Sequence, residues 1–194
     1  MHHADKARGA VALALVTALV LGACTTVPLR SGNAPVVADR AFSAEGRITA
    51  RHGADAVSAR FRWTHDPPRD ALELSTPLGQ IVAELSGDTD ARLAEVRLAD
   101  GRTMQASDWT ALTQRALGFP LPVTGLASWI RGGARAGAAF DSELDARGRA
   151  TVVRQDGWEI LFDYPDDASS SPLRMRMTYP DVEVRIALDQ ALPR

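Results

Sequence analysis

Apolar and polar side chains alternate along several short runs of this chain. The runs lie at residues 42–50, 57–63, 72–74, 81–85, 94–98, 158–164, 173–179 and 182–188. In the second run, Phe61 and Trp63 lie on one face, and Arg60 and Arg62 lie on the other. A period of two predicts strands with one buried and one hydrated face, which is typical of antiparallel sheets. Because the connections between runs are short and turn-like, the pattern favours a meander or a barrel.

The alternation stops in the middle of the chain. Residues 107–118 predict a helix, with Ser107 as its N-cap and Gly118 as its terminator. After prolines that cannot continue this helix, a second short helix is predicted from Thr124, as its cap, to Gly132. Two short helices must each bury one apolar face, and the open face of a curved sheet offers the place. The predicted fold class is therefore mainly β, a curved antiparallel sheet whose concave face is covered by short helices.

One turn carries an unusual residue at its tip. Pro77 suits the second position of a four-residue turn because its ring fixes φ, and Gly79 suits the last position. Leu78 then lies at the tip, where solvent is expected. Two interpretations of Leu78 stay open at this point. It serves a function at the surface, or it is folded back onto the sheet or singly exposed, which needs no explanation.

The first 23 residues differ from the rest of the chain. A basic start precedes the apolar run 10–21, which is shorter than the about 20 residues of a membrane-spanning helix and has the size of a signal-peptide core. The run ends in Leu21-Gly22-Ala23-Cys24, which resembles a bacterial lipobox. In a lipobox the cysteine thiol receives a diacylglyceryl group, and cleavage makes that cysteine the mature N-terminus. Cys24 is the only cysteine, so it has no disulfide partner within the chain.

The domain organisation follows from this N-terminus. We predict a lipoprotein signal peptide at 1–23, a lipidated N-terminus and flexible tether at 24–38, and a single domain at 39–194. Thr25 follows the cysteine where an Asp would favour inner-membrane retention, so the outer membrane of a Gram-negative bacterium is expected. Two other interpretations stay open for Cys24: an ordinary residue after a plain signal peptide, and a free thiol beside an uncleaved anchor.

Composition and charge give little evidence of chemistry. The chain is 45% hydrophobic and 24% charged with a net charge of -2, which gives no electrostatic argument for a nucleic acid partner. After cleavage only His52 and His65 remain, and Cys24 is committed to lipid, so no Cys/His zinc set can form. No nucleophile elbow, phosphate-binding loop or metalloprotease motif is present. We expect no enzyme, metal or cofactor, although a hydrolase that uses carboxylates distant in sequence stays open.

The order of several segments resembles the LolB family, the outer-membrane receptors of bacterial lipoprotein sorting. The segments are Glu45-Gly46-Arg47-Ile48, Ala59-Arg60-Phe61-Arg62-Trp63, Thr76-Pro77-Leu78-Gly79, Gly118-Phe119-Pro120-Leu121-Pro122, Ser128-Trp129-Ile130-Arg131-Gly132, Trp158-Glu159-Ile160-Leu161-Phe162 and Val184-Arg185-Ile186-Ala187-Leu188. Each piece alone is unspecific. The lipobox, the Thr-Pro-Leu-Gly turn and the two segments around the second helix, in this order and spacing, are together fairly specific.

The resemblance implies a fold and a function. The family fold is an unclosed β-barrel with helices over its concave face and an apolar cavity between them. That cavity accepts the acyl chains of a lipoprotein from the periplasmic carrier LolA, and the receptor releases the cargo into the outer membrane, acting as a monomer and without a cofactor. Candidate cavity residues are Phe61, Trp63, Leu72, Leu74, Trp129, Ile130, Trp158 and Phe162, each of which equally fits a packed core. The resemblance also assigns the turn of Pro77, Leu78 and Gly79 to membrane insertion of cargo.

A different class of function also fits the pattern. A lipid-anchored structural or assembly module would use the same lipobox and the same sheet, but it would bind protein partners and have no acyl-chain cavity. Saturable binding of a hydrophobic dye or fatty acid is expected for the receptor and not for the module.

Overall fold

The computed structural model describes residues 30–31 and 34–192 of the chain. Its strands are β1 Arg30–Ser31, β2 Val36–Val37, β3 Phe42–His52, β4 Asp55–Asp66, β5 Arg69–Ser75, β6 Ile81–Asp88, β7 Leu93–Leu98, β8 Thr103–Ala106, β9 Ala134–Arg135, β10 Phe140–Leu144, β11 Ala150–Gln155, β12 Trp158–Asp163, β13 Arg174–Tyr179 and β14 Val182–Leu188. Its helices are α1 Trp109–Leu117 and α2 Val123–Trp129. Strands β1, β2, β8, β9, β10 and β11 are additional to the predicted runs, because these segments are short and show no clean alternation.

Twelve of the described strands form one antiparallel sheet. Their order is β1-β10-β11-β12-β13-β14-β3-β4-β5-β6-β7-β8, and β2 pairs separately with β9 in parallel. Within the described residues, β1 and β8 stand at the two edges and do not pair with each other, so the curved sheet is not closed. The predicted fold class is confirmed.

The helices cover the concave face because they connect the two sides of the sheet. The chain leaves β8 at one edge, forms α1 and α2, and enters β10 near the other edge. Helix α1 is capped by Asp108, whose side chain accepts a hydrogen bond from the backbone N–H of Ala111. The predicted Ser107 cap is therefore wrong by one residue. Gly118 ends the helix in the left-handed conformation, as predicted.

Helix α2 begins without a side-chain cap. Its first residue is Val123 and its N-cap position is Pro122, so the predicted Thr124 cap is wrong. Packing of nearly the whole helix in the core stabilises it without such a cap. The helix ends at Trp129, three residues before the predicted end at Gly132.

The predicted strand faces agree with burial over most of the sheet. On β4, Ala59, Phe61 and Trp63 are buried, and the residues between them are exposed. Two positions differ from this prediction, because Val57 and Ile81 are exposed although they alternate with buried residues. Both lie near the end of the sheet that holds the turn 76–80, beyond the area that the helices cover.

The folded unit extends to the N-terminal side of the predicted boundary at residue 39. Ala34 is buried and its N–H donates to Ser142 Oγ at 2.7 Å, while β2 pairs with β9. Arg131 Nη1 donates to the Ala38 carbonyl at 2.7 Å and fixes the same segment. Residues 34–38 are thus packed instead of serving as tether, whereas residues 24–29 and 32–33 lie outside the described residues. No helix in the described part of the chain is long and apolar enough to cross a membrane.

Candidate functional site

The turn between β5 and β6 has the geometry that its sequence predicts. The N–H of Gly79 donates to the Thr76 carbonyl at 2.9 Å, which places Pro77 and Leu78 at the two central positions. Gly79 has a φ of +85°, a conformation that suits glycine. Thr76 N–H and the Gln80 carbonyl close the base of the turn at 2.8 Å. The turn therefore holds the side chain of Leu78 in solvent, where it is 91% exposed.

Other exposed apolar side chains gather at the same end of the sheet, which we call the Leu78 end. This end consists of the turns 52–55, 76–80 and 99–102, which adjacent antiparallel strands bring to one side. Val57 is 68% exposed and Ile81 is 45% exposed. Leu117 closes α1 at this end, since Gly118 lies beside His52, and it is half exposed. Leu78 is therefore part of an apolar rim and is not a singly exposed residue.

The inner face of the sheet is only partly covered behind this rim. The register aligns Leu74 with Ala83 and Ala83 with Leu98, and the next row joins Leu72, Leu85, Val96 and Met104. The four leucines and Met104 are partly buried, although they face the concave side. We call Leu72, Leu74, Leu85, Leu98 and Met104 the open band. Sequence reasoning identified two of its members, whereas Leu85, Leu98 and Met104 were missed because only the strand register joins them.

The other half of the concave face is filled. The side chains of Trp129 and Ile130 are fully buried in the same core cluster as the sheet residues Ile160 and Val184. The indole N–H of Trp129 donates to Gln155 Oε1 at 2.9 Å, so the buried polar atom is satisfied. Helix α2 is thus a packed part of the core, whereas the partly buried residues of the open band lie on strands β5 to β8.

The eight predicted cavity residues lie in or against one continuous core. Buried members are Phe61, Trp63, Trp129, Ile130, Trp158 and Phe162, and partly buried members are Leu72 and Leu74. The structure therefore leaves Leu72 and Leu74 partly exposed and buries the other six residues. The role of all eight in acyl-chain binding stays a prediction.

A buried polar network occupies the opposite end of the inner face. Asp70 Oδ1 accepts hydrogen bonds from the Trp63 indole and from His65 Nδ1, each at 2.7 Å. His65 Nε2 lies 2.7 Å from Asp39 Oδ1, and His65 itself is 5% exposed. Burial alone lowers the pKa of His65, but the hydrogen bonds to Asp70 and Asp39 outweigh it and raise the pKa above 6.5. This arrangement fixes residue 39 to the sheet and is satisfied internally, so it is structural.

Two further predictions concern chemistry. Cys24, the predicted lipid attachment site, lies outside the described residues. In residues 34–192, no group of three His, Cys, Asp or Glu side chains is arranged to hold a metal ion.

Comparison with known proteins identifies the family. The family model described as Outer membrane lipoprotein LolB matches residues 40–190, which is most of the chain. The chain belongs to the LolB family. A LolB of Azoarcus sp. strain BH72 is 36% identical over 185 residues, covering 92% of this chain and 93% of the relative. A LolB of Chromobacterium violaceum is 35% identical over 179 residues, covering 91% and 95%. A LolB of Bordetella petrii is 36% identical over 194 residues, covering 95% and 94%.

The match to the LolB family includes both parts of the candidate site. Residues 40–190 contain the Leu78 turn, the open band and both helices. The three LolB relatives are named outer-membrane lipoproteins. Among solved structures, a DUF1329 family protein from Desulfovibrio piger has a TM-score of 0.42 and 10% identity, covering 76% of this chain and 83% of that chain. That likeness is too weak to carry a structural argument.

Proposed function

We propose that this protein is an outer-membrane receptor that accepts lipoproteins from a periplasmic carrier of the LolA type and inserts them into the outer membrane. Lipid on Cys24 anchors the receptor to the membrane. The open band receives the acyl chains of the cargo, and the Leu78 turn contacts the bilayer during release.

One observation carries this proposal: the open band and the projecting Leu78 share one end of the sheet. Leu74 ends the inner row of β5, and the turn that holds Leu78 begins two residues later. A cargo chain that lies on the band would therefore leave the protein at the place where the exposed leucine meets lipid. Neither feature alone has this consequence, because a leucine that projected from another part of the sheet would not contact lipid where the cargo chain leaves the band.

The partial cover of the band supports release as well as binding. An acyl chain gains about 0.8 kcal/mol for each methylene that leaves water. On a band whose own leucines are partly exposed, such a chain would keep one side in contact with water. A bilayer surrounds the chain completely, so each methylene gains more there than on the protein. The transfer from receptor to membrane is then favourable without ATP or bond chemistry.

The exposed leucine suits transient contact better than attachment. A fully buried leucine contributes about 1.5–3 kcal/mol, which is too little to hold a protein at a membrane. The lipid on Cys24 supplies the lasting attachment, since acyl chains bury many methylenes. Leu78 is therefore free to enter and leave the bilayer in each delivery.

Transfer of cargo tests the proposal directly. The lipidated full-length chain is reconstituted in liposomes, and a LolA-type carrier loaded with a fluorescent lipoprotein is added. We expect the lipoprotein to move into the liposomes, and liposomes without the receptor serve as the control. Absence of transfer, while circular dichroism shows a folded β protein, would contradict the proposal.

A binding assay separates the receptor from an assembly module without a cavity. A fluorescent fatty acid should bind the detergent-purified chain saturably, and unlabelled fatty acid should displace it. A protein that transfers no cargo and binds no fatty acid would instead fit the assembly module.

A further inference from the structure

The outer face of the sheet carries a cluster of arginines that the proposed function does not use. One row across the strands aligns Leu161 with Arg176 and Arg176 with Arg185. The next row aligns Arg174 with Ala187, Ala187 with Arg47, and Arg47 with Arg60. We call the five arginines the arginine patch, and all five are exposed to solvent.

The patch places like charges directly opposite each other. Arg176 faces Arg185 across β13 and β14, and Arg47 faces Arg60 across β3 and β4. Like charges in this position destabilise an antiparallel pair. A hydrated sheet face needs no such pairs for folding, because any polar side chain satisfies it. Two repulsive pairs side by side therefore indicate a use for the positive charge.

Nearby carboxylates neutralise the patch only in part. Glu183 serves two arginines, at 2.8 Å from Arg185 and 3.7 Å from Arg176. Arg174 is paired with Asp163 at 3.2 Å and Arg60 with Asp189 at 3.1 Å. Arg47 has no ion pair among the described residues. Five guanidinium groups thus meet three carboxylates, and an excess of positive charge remains available.

The patch surrounds a shallow groove with an apolar floor. The groove has a volume of about 610 Å³, and its walls include Arg47, Arg174, Arg176 and Arg185. Leu161 and Ala187 form the outward-facing apolar part, and Leu161 is 37% exposed. An occupant that fits this site carries carboxylates for the walls and a small apolar group for the floor.

We propose that the arginine patch docks an acidic polypeptide segment of a protein partner. Guanidinium groups bind carboxylates through paired hydrogen bonds, which suits Asp and Glu side chains presented on a chain. The groove between the arginines fits a protruding polypeptide segment better than a flat lipid surface. The patch lies on the outer face of the sheet, whereas Leu78 projects from one end of it. When Leu78 contacts lipid, the outer face therefore remains exposed to solvent. The proposal does not depend on the function proposed for the open band.

A labelled acidic peptide tests the proposal. The full-length chain in nonionic detergent is titrated into a fluorescein-labelled decapeptide of alternating Glu and Ala, and fluorescence anisotropy is measured at low salt. We expect saturable binding that the double substitution Arg47→Glu and Arg185→Glu weakens at least about tenfold. The double substitution Arg97→Glu and Arg102→Glu makes the same change of charge on β7 and its turn, and it should change binding less than about twofold. Equal loss in both double variants would overturn the proposal.

Two further results complete the test. Replacing Arg47 with Thr should weaken peptide binding and raise the thermal unfolding midpoint by about 1–3 °C, because a repulsive pair is removed. A lower midpoint with unchanged peptide binding would show that Arg47 serves folding, and the proposal would fail. Phosphatidylglycerol added to the micelles should not displace the peptide at equal charge. Displacement would assign the patch to anionic lipid.

Discussion

The indole ring of Trp109 lies directly on Gly87, so that the first residue of α1 packs against the inner face of β6. A Cβ atom at residue 87 would be 2.5 Å from Cε2 and Cζ2 of the ring, closer than atoms can approach. The ring is buried, and Ala94 beside it is fully buried. This contact fixes the start of α1 on the inner face of β6, at the end of that strand away from the Leu78 turn.

Replacing Gly87 with Ala should displace α1 from the sheet. The added methyl group overlaps a buried ring that cannot move freely, so we expect the free energy of unfolding to fall by about 1–3 kcal/mol. Urea denaturation followed by tryptophan fluorescence measures the loss. Ser86→Ala, an exposed change on the adjacent residue, is the matched control and should stay within about 0.5 kcal/mol of the unchanged protein.

A double variant identifies the contact as the cause. Trp109→Phe presents a smaller ring to residue 87, so Gly87→Ala should cost less in that background than alone. Additive losses would show that the Gly87 effect arises elsewhere.

The open band should lose ligand affinity when one of its leucines becomes polar. Leu98→Gln leaves the fold intact because the side chain is only partly buried, but it removes apolar surface from the band. We expect a fluorescent fatty acid to bind about fivefold more weakly, which corresponds to roughly 1 kcal/mol. Leu93→Gln is the control, since Leu93 is 45% exposed and begins β7 at the opposite end from the Leu78 turn. Equal weakening by both changes would exclude the band as the binding site.

The network around His65 makes stability depend on pH. Its pKa is raised above 6.5 in the folded protein, so the folded state holds the proton more tightly than the unfolded chain does. The resulting stabilisation is fully present below about pH 6.5, the ordinary histidine value, and is lost as pH rises through the folded pKa. Urea denaturation at a series of pH values should show that the contribution of His65 to the free energy of unfolding decreases as pH rises above about 6.5.

Asp39→Asn tests the origin of this dependence. The substitution removes the exposed carboxylate of the pair and keeps the buried Asp70, so the pKa of His65 should fall. The loss of stability should then be smaller and be complete at a lower pH. Titration of His65 by NMR measures the shift directly, and an unchanged pKa would show that Asp39 does not stabilise the imidazolium.

The sequence predicted those parts of the fold that depend only on residues close together in the chain. Pro77 and Gly79 determine the turn by their own φ preferences, and the structure places Leu78 at its tip as expected. The alternation on β4 likewise needs no long-range information, because a strand with one wet face shows its period directly.

The sequence predicted neither the register of the strands nor the area of the sheet that the helices cover. The row from Leu74 through Ala83 to Leu98 depends on a shift in pairing between Leu74 and Ser75, which no local pattern reveals. The sequence also did not predict that α2 packs fully against its half of the concave face. For this reason Trp129 was an equal candidate for cavity and core, and the structure packs it fully.

Leu78→Glu should separate delivery from folding and from cargo acceptance. The side chain is 91% exposed and the turn is held by backbone hydrogen bonds, so a glutamate at its tip should leave the domain as stable as before. A charged side chain enters the bilayer at high cost, so contact with lipid should be lost. Leu93→Glu makes the same chemical change on an exposed leucine at the other end and should leave delivery unaffected.

The most direct measurement follows a fluorescent lipoprotein from a LolA-type carrier to the receptor and then into liposomes, with each variant compared in the same assay. The prediction is that Leu78→Glu takes the cargo from the carrier at the normal rate and retains it, while Leu93→Glu delivers it normally. Normal delivery by the folded Leu78→Glu protein would contradict the proposed role of the Leu78 end in membrane insertion.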